Sequence, residues 1–329
     1  MDWQNIFSLT FQQALGPSAI VYCLAAIGLN VHFGYTGLLN FGQAGFMAVG
    51  GYAMSSIVST WGLPFWLGIL VAILLTVVLA LLLGVPTLRL RADYLAIVTI
   101  AAAEIIRQTV GSVTLAKWFG GLDGLQGFSG TFRSWNPFNG PLDLGFVSWR
   151  ANDAWVMTVG WILVALSCLV VWALMRSPWG RVLKSIREDE DAVRSLGKNV
   201  YAYKMQSLII GGLFGCLAGF IMALKGAAIS PALFATDTTF FAYTVLIVGG
   251  AARVLGPVAG AVIFWFLLSF LDLFFNQAAT SGLIPSTVMD PNQASLVRFI
   301  FMGLALMLLM IFRPQGIFGD RKELALDAR

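Results

Sequence analysis

The chain has 329 residues, of which 58% are hydrophobic and 11% charged, with a formal net charge of +4. A soluble domain carries about 25% charged residues, so this composition has too little polar surface to cover a water-soluble core and excludes an ordinary soluble domain. The basic excess sits in a few loops and gives no argument for nucleic acid, while Cys23, Cys168 and Cys216 are scattered through apolar runs without metal-ligand or disulfide spacing.

Near the N-terminus Trp3, Ile6, Phe7, Phe11 and Ala14 recur at helical spacing, with Gln4, Asn5, Ser8 and Gln12 on the other side. This periodicity predicts an interfacial helix over residues 1–16, lying on the membrane. The segment has no basic n-region and is too polar for an h-region, so it does not read as a removable signal peptide. Residues 3–88 contain no Lys, Arg, Asp or Glu.

A spanning helix needs about 20 mostly apolar residues. Such runs fall near 17–33, 37–59, 63–84, 93–112, 153–175, 204–224, 238–252, 257–276 and 294–312. The expectation is an all-α polytopic membrane protein of about nine spans, roughly eight to ten, with the transmembrane domain over 17–313 and a tail over 314–329. Two runs are weak: 37–59 is Gly-rich and breakable, and 238–252 is short.

The segment 34–51 interleaves Gly34, Gly37, Gly42, Gly45, Gly50 and Gly51 with Tyr35, Asn40 and Gln43. Two readings stand. Either the glycines serve close packing alone, or non-helical backbone lines a cavity, where a half-helix N-terminus meets a substrate carboxylate. Asn40, Gly42, Gln43 and Gly45 are the pathway candidates there. Gly249 and Gly250 join them, because the Gly-rich stretch 249–260 weakly echoes 34–51. His32, the single histidine, falls near the cytoplasmic end of the first span and reads as a hydrogen-bonded structural group rather than a proton carrier.

In the fourth run Glu104 and Arg107 stand one turn apart and can pair along the helix. Counted from Asp93, Glu104 is roughly 16 Å along that helix. Ionisable groups at such depth face a cavity or a partner, so a local structural pair and a pathway or subunit-interface role are both open. The segment 113–152 is rich in Gly, Pro, Asn and aromatics and reads as an outer loop with interfacial pieces. Its aromatics suit a headgroup-level belt or a surface that receives a partner.

Residues 176–203 form the one dense charge cluster between apolar runs. Pro178, Trp179 and Gly180 end the preceding helix. Arg187 and the acids Glu188, Asp189, Glu190 and Asp191 precede Ala192, Val193, Leu196 and Gly197. Acids suit a helix N-terminus and Gly197 suits a C-cap, which predicts a helix of two to three turns with Val193 and Leu196 as its apolar ridge. A solvated charge run is the alternative to a docking helix. Further on, Gly211, Gly215 and Gly219, then Gly256 and Gly260, give small residues at every fourth position, a pattern for close helix packing in lipid.

If the 176–203 loop is cytoplasmic, fourteen Lys and Arg fall on that side and five on the other, with Arg107 inside a span. That bias orients the chain with its N-terminus outside and its C-terminus in the cytoplasm.

Asp191, Ala192, Val193 and Gly197 resemble the Glu-Ala-Ala, three residues, Gly pattern of binding-protein-dependent ABC importer permeases. Four stretches are similar, in order, to LivM-type branched-chain amino-acid permeases: GYTGLLNFGQAGFMAVGGY at 34–52, RSPWGRVLKSIREDEDAVRSLG at 176–197, VLIVGGAARVLGPVAGA at 245–261 and FRPQGIFG at 312–319. The resemblance implies an ABC importer permease fold with a cytoplasmic coupling helix, in a bacterial inner membrane. It also implies a LivH-type permease partner, two cytoplasmic ATPase subunits that hold ATP and Mg, and an extracytoplasmic substrate-binding protein. Independently, the sequence has no GxxxxGK[ST] phosphate loop, so no cofactor or ATP site is expected on this chain. Branched-chain or other aliphatic amino acids are the implied cargo, with urea or short amides as the alternative. An ion-coupled secondary transporter using Glu104 and Arg107 is a further one, and an intramembrane enzyme lacks its chemistry.

Overall fold

The computed structural model describes residues 2–89, 92–143, 145–281 and 291–319. Arg91 and most of the 314–329 tail, with Arg321, Lys322 and Arg329, lie outside the described residues. The chain is helical nearly throughout. In order come α1 (Trp3–Ala14), α2 (Pro17–Leu29) with a π-helical continuation (Asn30–Tyr35), α3 (Gln43–Ser59), α4 (Phe65–Thr87) and α5 (Ala92–Val110). The outer segment holds α6 (Ala116–Phe119), β1 (Leu125–Gln126), α7 (Gly130–Ser134) and a β2–β3 hairpin (Leu142–Asp143, Ser148–Trp149). Then follow α8 (Ala151–Arg176), α9 (Pro178–Glu188), α10 (Glu190–Ser195), α11 (Val200–Gly226), β4 (Ala228–Ile229), α12 (Thr236–Gly249), α13 (Gly256–Thr280) and α14 (Pro291–Phe312).

All nine expected runs contain a helix, but they differ in reach. Five helical runs are long and apolar enough to cross a membrane, and six if α5 and the segment through Phe119, bent by 58°, count as one span. The run 37–59 yields a helix only from Gln43, 17 residues long, and α12 has 14. At about 1.5 Å per residue both fall short of a hydrocarbon layer of about 30 Å. Glycine explains the break before α3, since Gly37 lies at φ +74° and the backbone stays non-helical to Gly42.

Burial sorts the long helices into two groups. The most apolar window of the α1–α2 run is 89% buried and that of α11 72%, against 33% for α4 and α8 and 28% for α13. The centre is therefore α2, α3 and α11, and their glycines make it. A Cβ on Gly50 would stand 2.7 Å from the Cys216 Cα, and one on Gly211 2.6 Å from the Gly28 carbonyl oxygen. Gly215 lies against Gln43 and Phe46, and Gly219 against the Met47 backbone. Gly256 and Gly260 similarly bring α13 onto the Gly249 and Val245 backbones of α12.

The apolar side of α1 meets α13 without being buried by it, since Trp3, Phe7 and Phe11 stay 48, 44 and 40% exposed. Asp2 caps the helix, accepting from the Asn5 N–H at 3.1 Å. Trp3, Phe7 and Phe11 then meet Phe274, Phe270 and Phe266 in an antiparallel aromatic ladder on α13, with centroids 6.1, 5.8 and 5.3 Å apart. Ile6 and Ala14 are buried beside it. The outer segment is tied down as well. The Trp149 indole donates to the Gln12 carbonyl at 3.2 Å, Ser56 Oγ donates to the Trp118 carbonyl at 2.8 Å, and β1 pairs with β4.

Candidate functional site

The charge cluster folds as two helices. Pro178 starts α9, which buries Gly180, Leu183 and Ile186 against the bundle. At Asp189 the backbone turns extended (φ −154°, ψ 103°), and the Asp189 carboxylate caps α10 by accepting from Asp191 N–H at 3.0 Å and Ala192 N–H at 2.9 Å. Glu188 thus ends α9 rather than opening a helix, which corrects the single helix read from the acidic run. An Asx cap competes with helix continuation, and four acids in a row do not reveal where the turn falls.

The apolar ridge needs a second correction. Val193 is buried at 6% exposure while Leu196 is 79% exposed, so one holds α10 to the protein and the other faces out. Gly197 follows the last turn at φ +76°, its N–H donating to the Arg194 carbonyl at 3.0 Å. Arg194 pairs with Glu190 at 2.8 Å and Asp191 at 2.7 Å, and Lys204 of α11 pairs with Glu190. The outer side of the pair presents Glu188, Asp189, Asp191, Ala192, Arg194, Leu196 and Gly197, all exposed.

Arg187 joins this surface to the interior. Its Nη1 donates to the Gly34 carbonyl at 2.5 Å, and its stem packs on Gly37, where a Cβ would stand 3.3 Å from Cγ. A cavity of about 270 Å³ lies alongside, lined by Thr36, Gly37, Leu88, Ile186, Arg187 and Lys204 among others.

Beyond Gly34 a buried polar network begins. His32 Nε2 lies 3.1 Å from the Leu208 carbonyl, which can only accept, so that nitrogen carries the proton. Nδ1 is then the acceptor for Asn40 Nδ2 at 3.0 Å. Asn40 also donates to Gln43 Oε1 at 3.3 Å, accepts from the Gly42 N–H at 2.9 Å, and its carbonyl accepts from Tyr243 Oη at 2.9 Å. Gln43 donates to the Gly211 carbonyl at 3.2 Å. At the start of α3 the Ala44 N–H donates to Thr239 Oγ1 at 2.9 Å, and the Phe41 N–H to Thr99 Oγ1 at 3.1 Å.

His32, Asn40 and Gln43 have no exposed surface. The half-helix of the second reading is present, beginning at Gln43, but Thr239 holds its Ala44 N–H and the Gly42 carbonyl accepts from Gly45 and Phe46 N–H. Gly42 lies against the Thr99 carbonyl and Gly45 against Ala103. The other glycine pair is closed in the same manner: the Val248 and Gly249 carbonyls accept from Ile317 and Phe318 N–H at 2.9 and 3.2 Å, and Gly250, at φ +104°, abuts Gly319. Sequence reasoning missed Asn30, which donates to the Arg253 carbonyl and accepts from the Ala252 N–H, both at 2.8 Å. A lone Asn closing an apolar run was the available signal.

Glu104 and Arg107 form a two-pronged pair within α5, Nε to Oε2 at 2.8 Å and Nη2 to Oε1 at 2.5 Å, with Gln108 donating to Oε1 at 2.8 Å. They stand apart from the network and keep 38% and 27% of their side chains exposed.

Residues 16–310 match the family described as branched-chain amino acid transport system / permease component. The chain belongs to this family. It is 31% identical over 310 residues to the high-affinity branched-chain amino acid transport system permease protein LivM of Escherichia coli, covering 91% of this chain and 68% of that protein. The probable LivM of Methanocaldococcus jannaschii is 26% identical, covering 92% and 91%. The nucleoside ABC transporter permease protein NupC of Lactococcus lactis is 28% identical over 57% of this chain and 59% of its own length. As a permease component of an ABC transporter, this multi-pass membrane protein works in transport, a role that implies an ATPase and a binding protein beside it.

Proposed function

We propose that the chain is one permease subunit of an ATP-driven importer that passes branched-chain or other aliphatic amino acids from a binding protein into the cytoplasm. A LivH-type permease completes the membrane part, two ATPase subunits hold ATP and Mg, and the outer segment 113–152 faces the binding protein. The N-terminus is outside, the charged α9–α10 pair is cytoplasmic, and the shorter α3 and α12 complete a bundle of about nine membrane segments.

The observation that carries this reading is the α9–α10 pair in a member of this family. It is a capped, salt-bridged projection with its inner side anchored in the bundle and its outer side free for a soluble motor. Closure of the ATPase pair would push on α10, and Arg187 would pass the displacement to Gly34 and the start of the polar network. A buried network of neutral groups has few charges to detain a zwitterion, so selection falls mainly to the binding protein. Urea or short amides are the second reading for the cargo, supported by the presence of a nucleoside permease among the relatives, since such permeases serve different solutes.

The test is reconstitution in proteoliposomes with the neighbouring permease, ATPases and binding protein. Leucine uptake that requires ATP, Mg and the binding protein is expected. Uptake by this chain alone, abolished by dissipating an ion gradient, would reject the importer.

A further inference from the structure

The acids and bases of the charge cluster are sorted in space. Glu190 and Asp191 line a cleft of about 610 Å³ together with Arg194 and Lys198, and Arg194 is already paired with both acids. A second cleft, of about 790 Å³, lies where the end of α8, α9 and the turn between α12 and α13 meet. Arg176, Lys184 and Arg253 line it, all three exposed, and none of its lining residues among those described is acidic. Arg176 lies over the Trp172 ring, 4.2 Å from its centroid, and Lys184 over that of Tyr35 at 5.7 Å. Such contacts orient a cation without neutralising it. Among the described residues no carboxylate pairs with Arg176 or Lys184. Like charges gathered around one cleft repel, and an anion between them relieves the repulsion. The remaining wall is apolar. Leu169 and Leu255 are more than half exposed, and Leu169 continues a row with Leu166 and Ile162 that faces out of the bundle. Arg176 ends a helix long enough to span a membrane, so the cleft stands where hydrocarbon gives way to headgroups.

We propose that this cleft holds the phosphodiester headgroup of an anionic phospholipid, with Arg176 and Lys184 as its charge partners and an acyl chain lying along Leu169. Basic pockets between helix ends suit such headgroups. A free phosphate would meet the same cations but leave the apolar wall uncovered, whereas a lipid covers both. Seated there, the lipid touches α8, α9 and the α12–α13 turn at once and ties α9 to the bundle. Only the choice of the cytoplasmic leaflet rests on the orientation proposed above; the site requires no particular cargo and no second chain.

The test uses the purified full chain in detergent, titrated with phosphatidylglycerol or with phosphatidylcholine of the same acyl chains and read by native mass spectrometry. Phosphatidylglycerol is expected to bind the more tightly. Arg176→Gln with Lys184→Gln should weaken it about 30-fold, on the order of 1 kcal/mol for each cation. Arg181→Gln with Lys198→Gln removes the same charge outside the cleft and should leave it unchanged. Equal binding of the two lipids, or equal losses in the two double variants, would overturn the proposal. Arg176→Lys with Lys184→Arg keeps both charges and should keep the lipid, which separates loss of the site from loss of the fold; release of the lipid from this variant while it melts normally would reject recognition by charge. Displacement by inorganic phosphate would assign the cleft to a soluble anion instead. Lipid binding that appears only after truncation beyond Gly319 would assign it to the chain's own Asp320 and Glu323. Because lipid retention is read on the chain itself, its failure leaves the importer reading untouched.

Discussion

Around Gly211 the α2 and α11 backbones touch, the His32 ring fills the remaining space, and every polar atom described for His32 and Asn40 is spent on a neighbour. A short distance away α10 is held by one buried side chain, Val193, and by ion pairs at the surface. The first region tolerates no added atom. The second tolerates many, because its strength lies in caps and partly screened charges. A transporter driven from outside the membrane needs both: a stiff centre that moves as a unit, and a handle whose outer face can change grip without unfolding it.

The comparison is broken most severely at Gly211. Gly211→Val places carbon against the His32 ring and the Gly28 carbonyl. Overpacking typically costs about 1–3 kcal/mol and occasionally more, and this site offers no flexible neighbour. The purified chain should melt far lower in detergent or fail to accumulate in the membrane; an unchanged melting temperature would refute the close approach. Asn40→Ala comes next. It strips partners from His32 Nδ1 and the Gly42 N–H, and each unsatisfied buried group costs about 1–3 kcal/mol. Thermal unfolding should report the loss, and Asn40→Asp should not restore it, because a carboxylate cannot donate to Nδ1.

The Glu104–Arg107 pair should fall between core and handle. Either single change, Glu104→Gln or Arg107→Leu, leaves a charge without its counterpart, while the double change removes both. The double variant should therefore be milder than either single, with an interaction energy of about 0.5–3 kcal/mol in a cycle of melting temperatures. Additive losses would argue against pairing. The smallest effect on stability belongs to the handle. Reversing Glu188 to Lys alters an exposed side chain that makes no ion pair among the described residues, and exposed charges contribute about 0–1 kcal/mol, so the chain should insert and melt almost as before. Stimulated ATP hydrolysis by the assembled importer should nonetheless be abolished, and undiminished hydrolysis would reject α9–α10 as the docking element.

Much of this was legible in the residues, with clear limits. The nine apolar runs, the isolated charge cluster and the glycine spacings 211–215–219 and 256–260 all coincide with elements of the bundle, because hydrophobic length and small-residue period are local properties. The break at Asp189, the burial of Val193 without Leu196 and the docking of α1 on α13 were not legible, since each depends on what stands opposite. The polar network was half visible. Asn40 and Gln43 stood out among glycines, but their partners Tyr243 and Gly211 stand 203 and 168 residues later in the chain, and no spacing rule connects such positions.

The sequence by itself determined that this chain lives in a bilayer, that its charges gather at one loop, and that its helices approach closely where glycine recurs, because composition and period act residue by residue. Tertiary structure alone decided which helices are central, which polar groups close on one another, and that α5 keeps a charged face uncovered, because burial and hydrogen-bond satisfaction are properties of pairs brought together in space.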